Sequence, residues 1–313
     1  MLRKEILVCL VILLLTGVVR VPSTRAATFW GTEAKGMGGA YTAGAGGFSG
    51  ISYNPASSAS VANYEFTSNF TRFSQNTLNV NNGSIGLGFG FENVTQGIAV
   101  NRTALDFDFD NFSVTSDGLG LDFSESTMYY NASVQPFATA RFGANAKLFR
   151  VQSDVEDADA DGFGLDLGYQ QLVNRWVSLG VSAINLGAQR NWDTGLSEDL
   201  SRKIRAGFRL KPARGLSLET NVVHDENAGY EALLMGGEWW LVRRLDTGRS
   251  TLVGVALRGG LELQQVGAEE TNISAGLSFK MGFGEIHYAF EQKSNFDNQQ
   301  QFGMTVEFGA PSY

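Results

Sequence analysis

"NISAGLSFKMGFGEIHYAFE", Asn272–Glu291, decides how the chain is read. Ile273, Ala275, Leu277, Phe279 and Met281 alternate with Asn272, Ser274, Gly276, Ser278 and Lys280. That is the period of a strand with two unlike faces; a helix would repeat its apolar positions every three or four residues. Gly282-Phe283 reads as a tight turn, after which the alternation resumes. Each run approaches the roughly 9–11 residues that a tilted strand needs to cross a bilayer.

The same pattern fills the chain beyond residue 60. Fourteen strands are expected near 63–73, 83–92, 95–105, 126–135, 138–152, 162–172, 175–187, 201–211, 215–225, 230–243, 250–264, 270–281, 284–293 and 299–309. A soluble sandwich also alternates an apolar with a polar face. Three features favour a membrane barrel instead: the length of the runs, a second face rich in glycine as well as charge, and connections that alternate short and long. Backbone polar groups in lipid must all be paired, so such a sheet closes on itself. The short turns are Asn93-Val94, Pro136-Phe137, Val173-Asn174, Pro212–Arg214, Arg244–Arg249 and Gly282-Phe283. The longer connections at 106–125, 153–161 and 188–200 are acidic. Short periplasmic turns with longer outer loops are the outer-membrane arrangement. Tyr129-Tyr130, Trp176, Trp239-Trp240 and Tyr288 are expected at strand ends, as an interfacial girdle, and parity places Leu277 toward lipid and Ser278 toward the lumen.

Ahead of the strands, Met1 to Ala26 reads as a secretory signal: Arg3 and Lys4, an apolar run from Ile6 to Val19, then small residues at Thr24 and Ala26. The run is shorter than a membrane-spanning helix requires. Cys9 is the only cysteine, so a chain without the signal has no disulfide and no thiolate metal site. The signal carries four basic residues and one acid in a chain of net charge −8, which leaves −11 beyond it. So acidic an exported protein is a poor nucleic-acid binder. The expected division is a signal at 1–26, an N-terminal hatch at 27–60 and a barrel at 61–313.

The hatch is read from "GMGGAYTAGAGGFSGISYNPAS", Gly36–Ser57, which is glycine-rich, nearly uncharged and yet carries Met37, Tyr41, Phe48, Ile51 and Tyr53. About eight strands already enclose a lumen that side chains can fill, so fourteen need a plug. Gly36, Ala40 and Gly44, or Gly39, Ala43 and Gly47, would give a short helix a small-residue face. Asn54-Pro55 reads as a helix cap with proline in the first turn, followed by Ala56–Ser60.

These residues also carry a resemblance. Gly36, Met37, Gly38, Gly39 and Ala40, followed by Tyr53, Asn54, Pro55 and Ala56, are similar to the hatch motif of the FadL/TodX superfamily of outer-membrane proteins. "GFGLDLGYQ" at 162–170, "VSLGVSAINLG" at 177–187, "GGEWWL" at 236–241, "LRGGLEL" at 257–263 and "IHYAFE" at 286–291 resemble its PorV/PorQ branch, in the same order. "TAGAGGFSG" departs from that pattern, which has an acidic step there. The resemblance implies an all-β barrel of fourteen strands plugged at its N-terminus. It also implies an accessory barrel for protein secretion and surface attachment, with a large translocon and exported proteins as partners.

No catalytic constellation is expected from two histidines, His224 and His287, and no metal or cofactor. "DADADG", Asp157–Gly162, begins like a calcium loop, but Gly168 stands where the closing glutamate belongs, so it reads as a solvated acidic loop. Inward parity gathers Arg141, Lys147, Asp166, Lys203, Arg205, Arg209, Lys211, Glu219, Glu238, Arg258, Glu262, Lys280, Glu285, Glu291 and Glu307. Paired, they would hold plug and wall together. The alternative function is a channel for small hydrophobic compounds across a Gram-negative outer membrane, with Phe107, Phe109 and Phe112 as hydrophobic contacts near the outer mouth. The charged lumen and short chain weigh toward the secretion reading.

Overall fold

The computed structural model describes residues 31–75, 78–107, 121–154, 157–226, 230–246, 250–266, 268–293 and 298–309. The wall consists of β1 (Tyr64–Gln75), β2 (Leu78–Phe91), β3 (Val94–Phe107), β4 (Leu121–Phe137), β5 (Ala140–Ser153), β6 (Ala160–Asn174), β7 (Val177–Trp192), β9 (Lys203–Ala213), β10 (Leu216–Asp225), β11 (Tyr230–Asp246), β12 (Ser250–Val266), β13 (Ala268–Met281), β14 (Gly284–Gln292) and β15 (Gln299–Phe308). Neighbours in sequence pair antiparallel, and β15 returns to β1, closing a barrel of fourteen strands. Closure follows from the sequence: an open edge would leave a row of N–H and C=O groups in lipid.

Alternation sets the two faces. In β10 the inward Ser217, Glu219, Asn221, Val223 and Asp225 are all buried, while Leu218 and Val222 point outward. Ile85, Leu87, Phe89 and Phe91 cover the outside of β2, and Ile273, Leu277 and Phe279 that of β13. An apolar band round the whole molecule is far beyond the isolated patches of a water-soluble surface. It suits a hydrocarbon solvent.

The strands are longer than the sequence suggests, mostly at the long-loop end. β2 begins at Leu78 rather than near 83, and β4 at Leu121 rather than near 126. Hydrogen bonding to a neighbour extends a strand past the point where its apolar alternation stops. The 188–200 connection likewise is not all loop. β7 runs to Trp192, and β8 (Ser197–Asp199) folds back to pair with Gln189–Asn191. Pro136 and Pro212 lie inside the ends of β4 and β9, and the turns fall just after them. Both prolines sit where a ladder bond is dispensable.

The expected girdle needs a larger correction. The longer β4 puts Tyr129 and Tyr130 in mid-strand; Tyr129 is 4% exposed and faces the lumen. Trp240 is also directed inward, with the Arg258 guanidinium 5.7 Å from its ring. Tyr288 lies in mid-strand against Phe302. The aromatics that do ring the short-turn end are Tyr64, Phe91, Phe137, Trp176, Trp239, Phe283 and Phe308, all outward and exposed. Amphipathic or bulky rings at that level match a bilayer interface.

Candidate functional site

The lumen is occupied. Residues 31–62 lie inside the barrel, against the inner faces of strands all round the wall. Met37, Ala40, Phe48, Ile51, Asn54 and Ala56 are fully enclosed, Gly36, Gly38, Tyr53 and Pro55 are buried, and Gly39 is half-buried. The segment is mostly irregular. α1 (Thr32–Gly36) is one turn, and 3-10 turns cover Phe48–Gly50 and Pro55–Ser60. The helix expected through Gly36, Ala40 and Gly44, or through Gly39, Ala43 and Gly47, does not form. Gly38, Gly39 and Gly47 take positive φ, which breaks any helix there. The backbone instead bonds to the wall. Arg205 donates to the Gly39 carbonyl at 3.0 Å, Arg209 to that of Gly44 at 2.8 Å and Gln170 to that of Ala45 at 2.9 Å, while the Ala43 N–H donates to Glu219 at 2.7 Å.

The wall receives this backbone through glycine. On the inner face, four pairs of glycines stand directly opposite one another on adjacent strands among the described residues: Gly88 with Gly97, Gly143 with Gly168, Gly180 with Gly207, and Gly236 with Gly260. Each pair bares a patch of sheet that one part of the hatch covers. A Cβ at Gly88 or Gly97 would strike the Phe48 ring, and at Gly143 or Gly168 it would land on Asn54-Pro55. At Gly180 or Gly207 it would meet Thr42-Ala43, and at Gly236 it would lie 2.6 Å from the Met37 carbonyl oxygen. Most of the glycine on the inner face is therefore the imprint of the hatch.

Between the glycine pairs, polar side chains complete the seat. The Asn54 side chain accepts from Ala56 N–H, closing the turn, and donates to the carbonyls of Thr42 at 2.9 Å and Tyr169 at 3.0 Å. Ser58 Oγ lies 2.7 Å from Ser133 Oγ of β4. Ser182 donates to the Tyr53 carbonyl at 2.8 Å and Asn145 to that of Ile51 at 3.0 Å. Such fully bonded buried contacts fix one arrangement against alternatives.

Most of the lumen charges are in ion pairs. Glu238 holds Arg209 at 3.0 Å and Arg258 at 2.8 Å; Lys280 holds Glu307 at 3.1 Å and Glu285 at 3.8 Å. Lys147 pairs with Asp166 at 2.6 Å, and Lys203 with Asp225 at 3.5 Å. Glu262 accepts from Asn272 at 3.1 Å, and Arg141 donates to Gln135 at 3.1 Å near the short-turn rim. Lys211 is exposed at that rim rather than in the lumen, because β9 ends there. The alternating pattern did not single out Lys35, which leaves the hatch to bond Glu291 at 2.6 Å, nor Glu65, which accepts the Phe48 N–H at 2.6 Å. Nothing short of the register marks those partners. Burial pushes the Glu33 carboxyl up, but His287 and Arg258 beside it outweigh this and hold it below the usual carboxylate range.

Ser278, His287 and Glu33 come together: Ser278 Oγ is 2.7 Å from His287 Nδ1, and Glu33 Oε1 is 3.4 Å from Nε2. The arrangement is not a nucleophile set for attack. Ser278 is 1% exposed and already accepts an N–H from Arg258, so no substrate carbonyl reaches it. Among the described residues no group of three or more His, Cys, Asp or Glu is suited to a metal. The Asp157–Gly162 segment instead uses Asp159 to accept the Ser153 N–H at 2.9 Å. Phe107 ends β3, while Phe109 and Phe112 lie outside the described residues, as does the expected signal at 1–26.

On the long-loop side of the hatch, the inner wall turns apolar. Phe149, Val151, Ala160 and Ala188 are all buried on adjacent strands β5–β7. The Glu125–Arg190 pair, 2.9 Å apart, rims this patch.

No protein-family model and no curated protein matches the sequence. Solved structures do. The monoaromatic hydrocarbon channel CymD aligns with TM-score 0.64 and 13% identity, over 90% of this chain and 98% of that one. The toluene transporter TodX of Pseudomonas putida aligns with TM-score 0.65 and 10% identity, over 90% and 99%. A FadL homologue from Pseudomonas aeruginosa aligns with TM-score 0.62 and 10% identity, over 89% and 98%. The chain thus has, over nearly its full described length, the barrel fold of these FadL/TodX-type outer-membrane proteins.

Proposed function

We propose that this protein is an outer-membrane channel for small hydrophobic compounds, with its short turns in the periplasm. The observation that carries this reading is the apolar patch of Phe149, Val151, Ala160 and Ala188 beyond the hatch, on an inner wall that elsewhere carries mostly polar and charged side chains. Desolvating an apolar solute there gains roughly 25 cal/mol per Å² buried. The fold it shares with the hydrocarbon channels CymD and TodX supports the same reading. The secretion-accessory role rests on the sequence resemblance alone, and nothing in the seat of the hatch or the described loops favours it. The test is uptake of toluene into liposomes carrying the purified barrel. Uptake should exceed that of empty liposomes and fall severalfold with Phe149→Asp, whose charge cannot be solvated in the patch. Uptake equal to empty liposomes would refute the channel.

A further inference from the structure

On the short-turn side of the hatch lies a second, chemically opposite space, a cavity of about 230 Å³ between the hatch and the wall. Five glutamates line it, against Arg209 and Arg258. Three of the five are neutralised: Glu238 by both arginines, Glu285 and Glu307 by Lys280. Glu33 has His287 at 3.4 Å and Ser49 at 3.3 Å, both on Oε1, but no lysine or arginine at ion-pair distance, and Glu65, which accepts the Phe48 N–H, has none either among the described residues. Glu33 is 8% exposed, and its Oε2 has no hydrogen-bond partner among the described residues. A buried carboxylate oxygen without a partner is costly, and a bound cation removes that cost.

We propose that this cavity binds a small organic cation, a protonated alkyl amine or diamine, with Glu33 and Glu65 as its carboxylate partners. The excess of acid over base selects a cation. The size selects an organic one: at about 30 Å³ per water the space holds several heavy atoms, and no metal-binding group lies among the described residues. Tyr41 and Trp240, also in the lining, supply apolar walls for an alkyl chain. The cavity lies across the hatch from the apolar patch, so binding here and hydrocarbon uptake are read by separate measurements.

The test is calorimetric titration of the intact, detergent-solubilised barrel with 1,4-diaminobutane, in parallel with 1,4-butanediol and calcium chloride. Saturable binding of the diamine alone is expected. Glu33→Gln should weaken it about tenfold, and Glu65→Gln similarly, the loss expected for one charge-assisted contact in a dry site. Glu307→Gln, which removes a half-exposed carboxylate already paired with Lys280, should change it less than about twofold. Should Glu33→Gln fail to give folded barrel, Glu65→Gln carries the comparison. The proposal is overturned if the diamine gives no binding, if the diol or calcium binds as well as the diamine, or if the glutamate variants bind it unchanged.

Discussion

The hatch meets the wall in two ways. At three of the four glycine pairs hatch backbone lies on the sheet, at the fourth, Gly88 with Gly97, the Phe48 ring does, and nothing but the absence of side chains makes room. At the short-turn end, the same hatch faces carboxylates and guanidinium groups across a cavity of about 230 Å³. The first contact is defined by shape and has no slack. The second is defined by charge, and its long side chains can re-pair or take up water. The two should therefore differ sharply in what they tolerate.

The largest effect is expected at the glycine pairs. A Cβ at Gly260 would fall on the Met37 carbonyl carbon and Gly38 nitrogen, and one at Gly143 on the Pro55 carbonyl. Gly260→Leu or Gly143→Leu should cost about 3 kcal/mol or more, beyond ordinary overpacking, because backbone rather than a side chain must move. Gly259→Leu, one residue away, meets nothing within 4 Å and should be tolerated. The heat-modifiable folded band of each variant measures this, and equal loss at 259 and 260 would erase the distinction.

Arginine at Leu277 comes next. Its side chain is 47% exposed on the apolar band, and a cationic residue there should cost about 2–4 kcal/mol near the bilayer midplane. Parity alone suggests that arginine at the neighbouring inward Ser278 would be mild. The structure corrects that: Ser278 is 1% exposed and wedged against Arg258 and His287, so Ser278→Arg brings a like charge onto Arg258 in a filled space. Denaturant midpoints should fall for both variants. An unchanged Ser278→Arg midpoint would mean that the space around Ser278 is not filled.

A smaller effect separates cap from strut at Asn54. Asn54→Ala should lose about 2 kcal/mol, roughly half for the cap and half for its donated bonds to Thr42 and Tyr169. Asn54→Asp keeps the cap acceptor but sets a buried carboxylate oxygen against the Thr42 and Tyr169 carbonyls, so it should cost more than alanine. If aspartate proves milder than alanine, the wall contact contributes less than the cap.

The barrel was legible in the sequence because period-two alternation is a local signal. Asn272–Glu291 suffices to show two strands, a turn and two faces. The hatch was legible as a segment too apolar for a loop and too rich in glycine for a helix, though its path was not. Gly38 and Gly39 give no sign in sequence that they take positive φ rather than forming a small-residue stripe. The glycine pairs were invisible for a different reason. Gly143 and Gly168 are 25 positions apart, and only the register of β5 on β6 sets them opposite one another. The same holds for charge: parity placed Glu238 and Arg258 inward, but not beside each other. The girdle was misread because apolar alternation fades before hydrogen bonding stops, which made mid-strand Tyr129 look like a strand end.

The central claim is that the hatch is seated in the lumen at a fixed register. Cys9, within the signal-like segment, is the only cysteine, so introduced thiols report alone once that segment is removed. Ser58 Oγ of the hatch and Ser133 Oγ of β4 are 2.7 Å apart, a spacing that a disulfide of about 2.0 Å between sulfurs can span with little adjustment. Oxidation of the Ser58→Cys/Ser133→Cys protein in membranes should give near-complete cross-linking. Ser58→Cys combined with Ser217→Cys, on β10, should give none. Absent cross-linking in the first pair, or equal cross-linking in both, would contradict a hatch fixed on the wall.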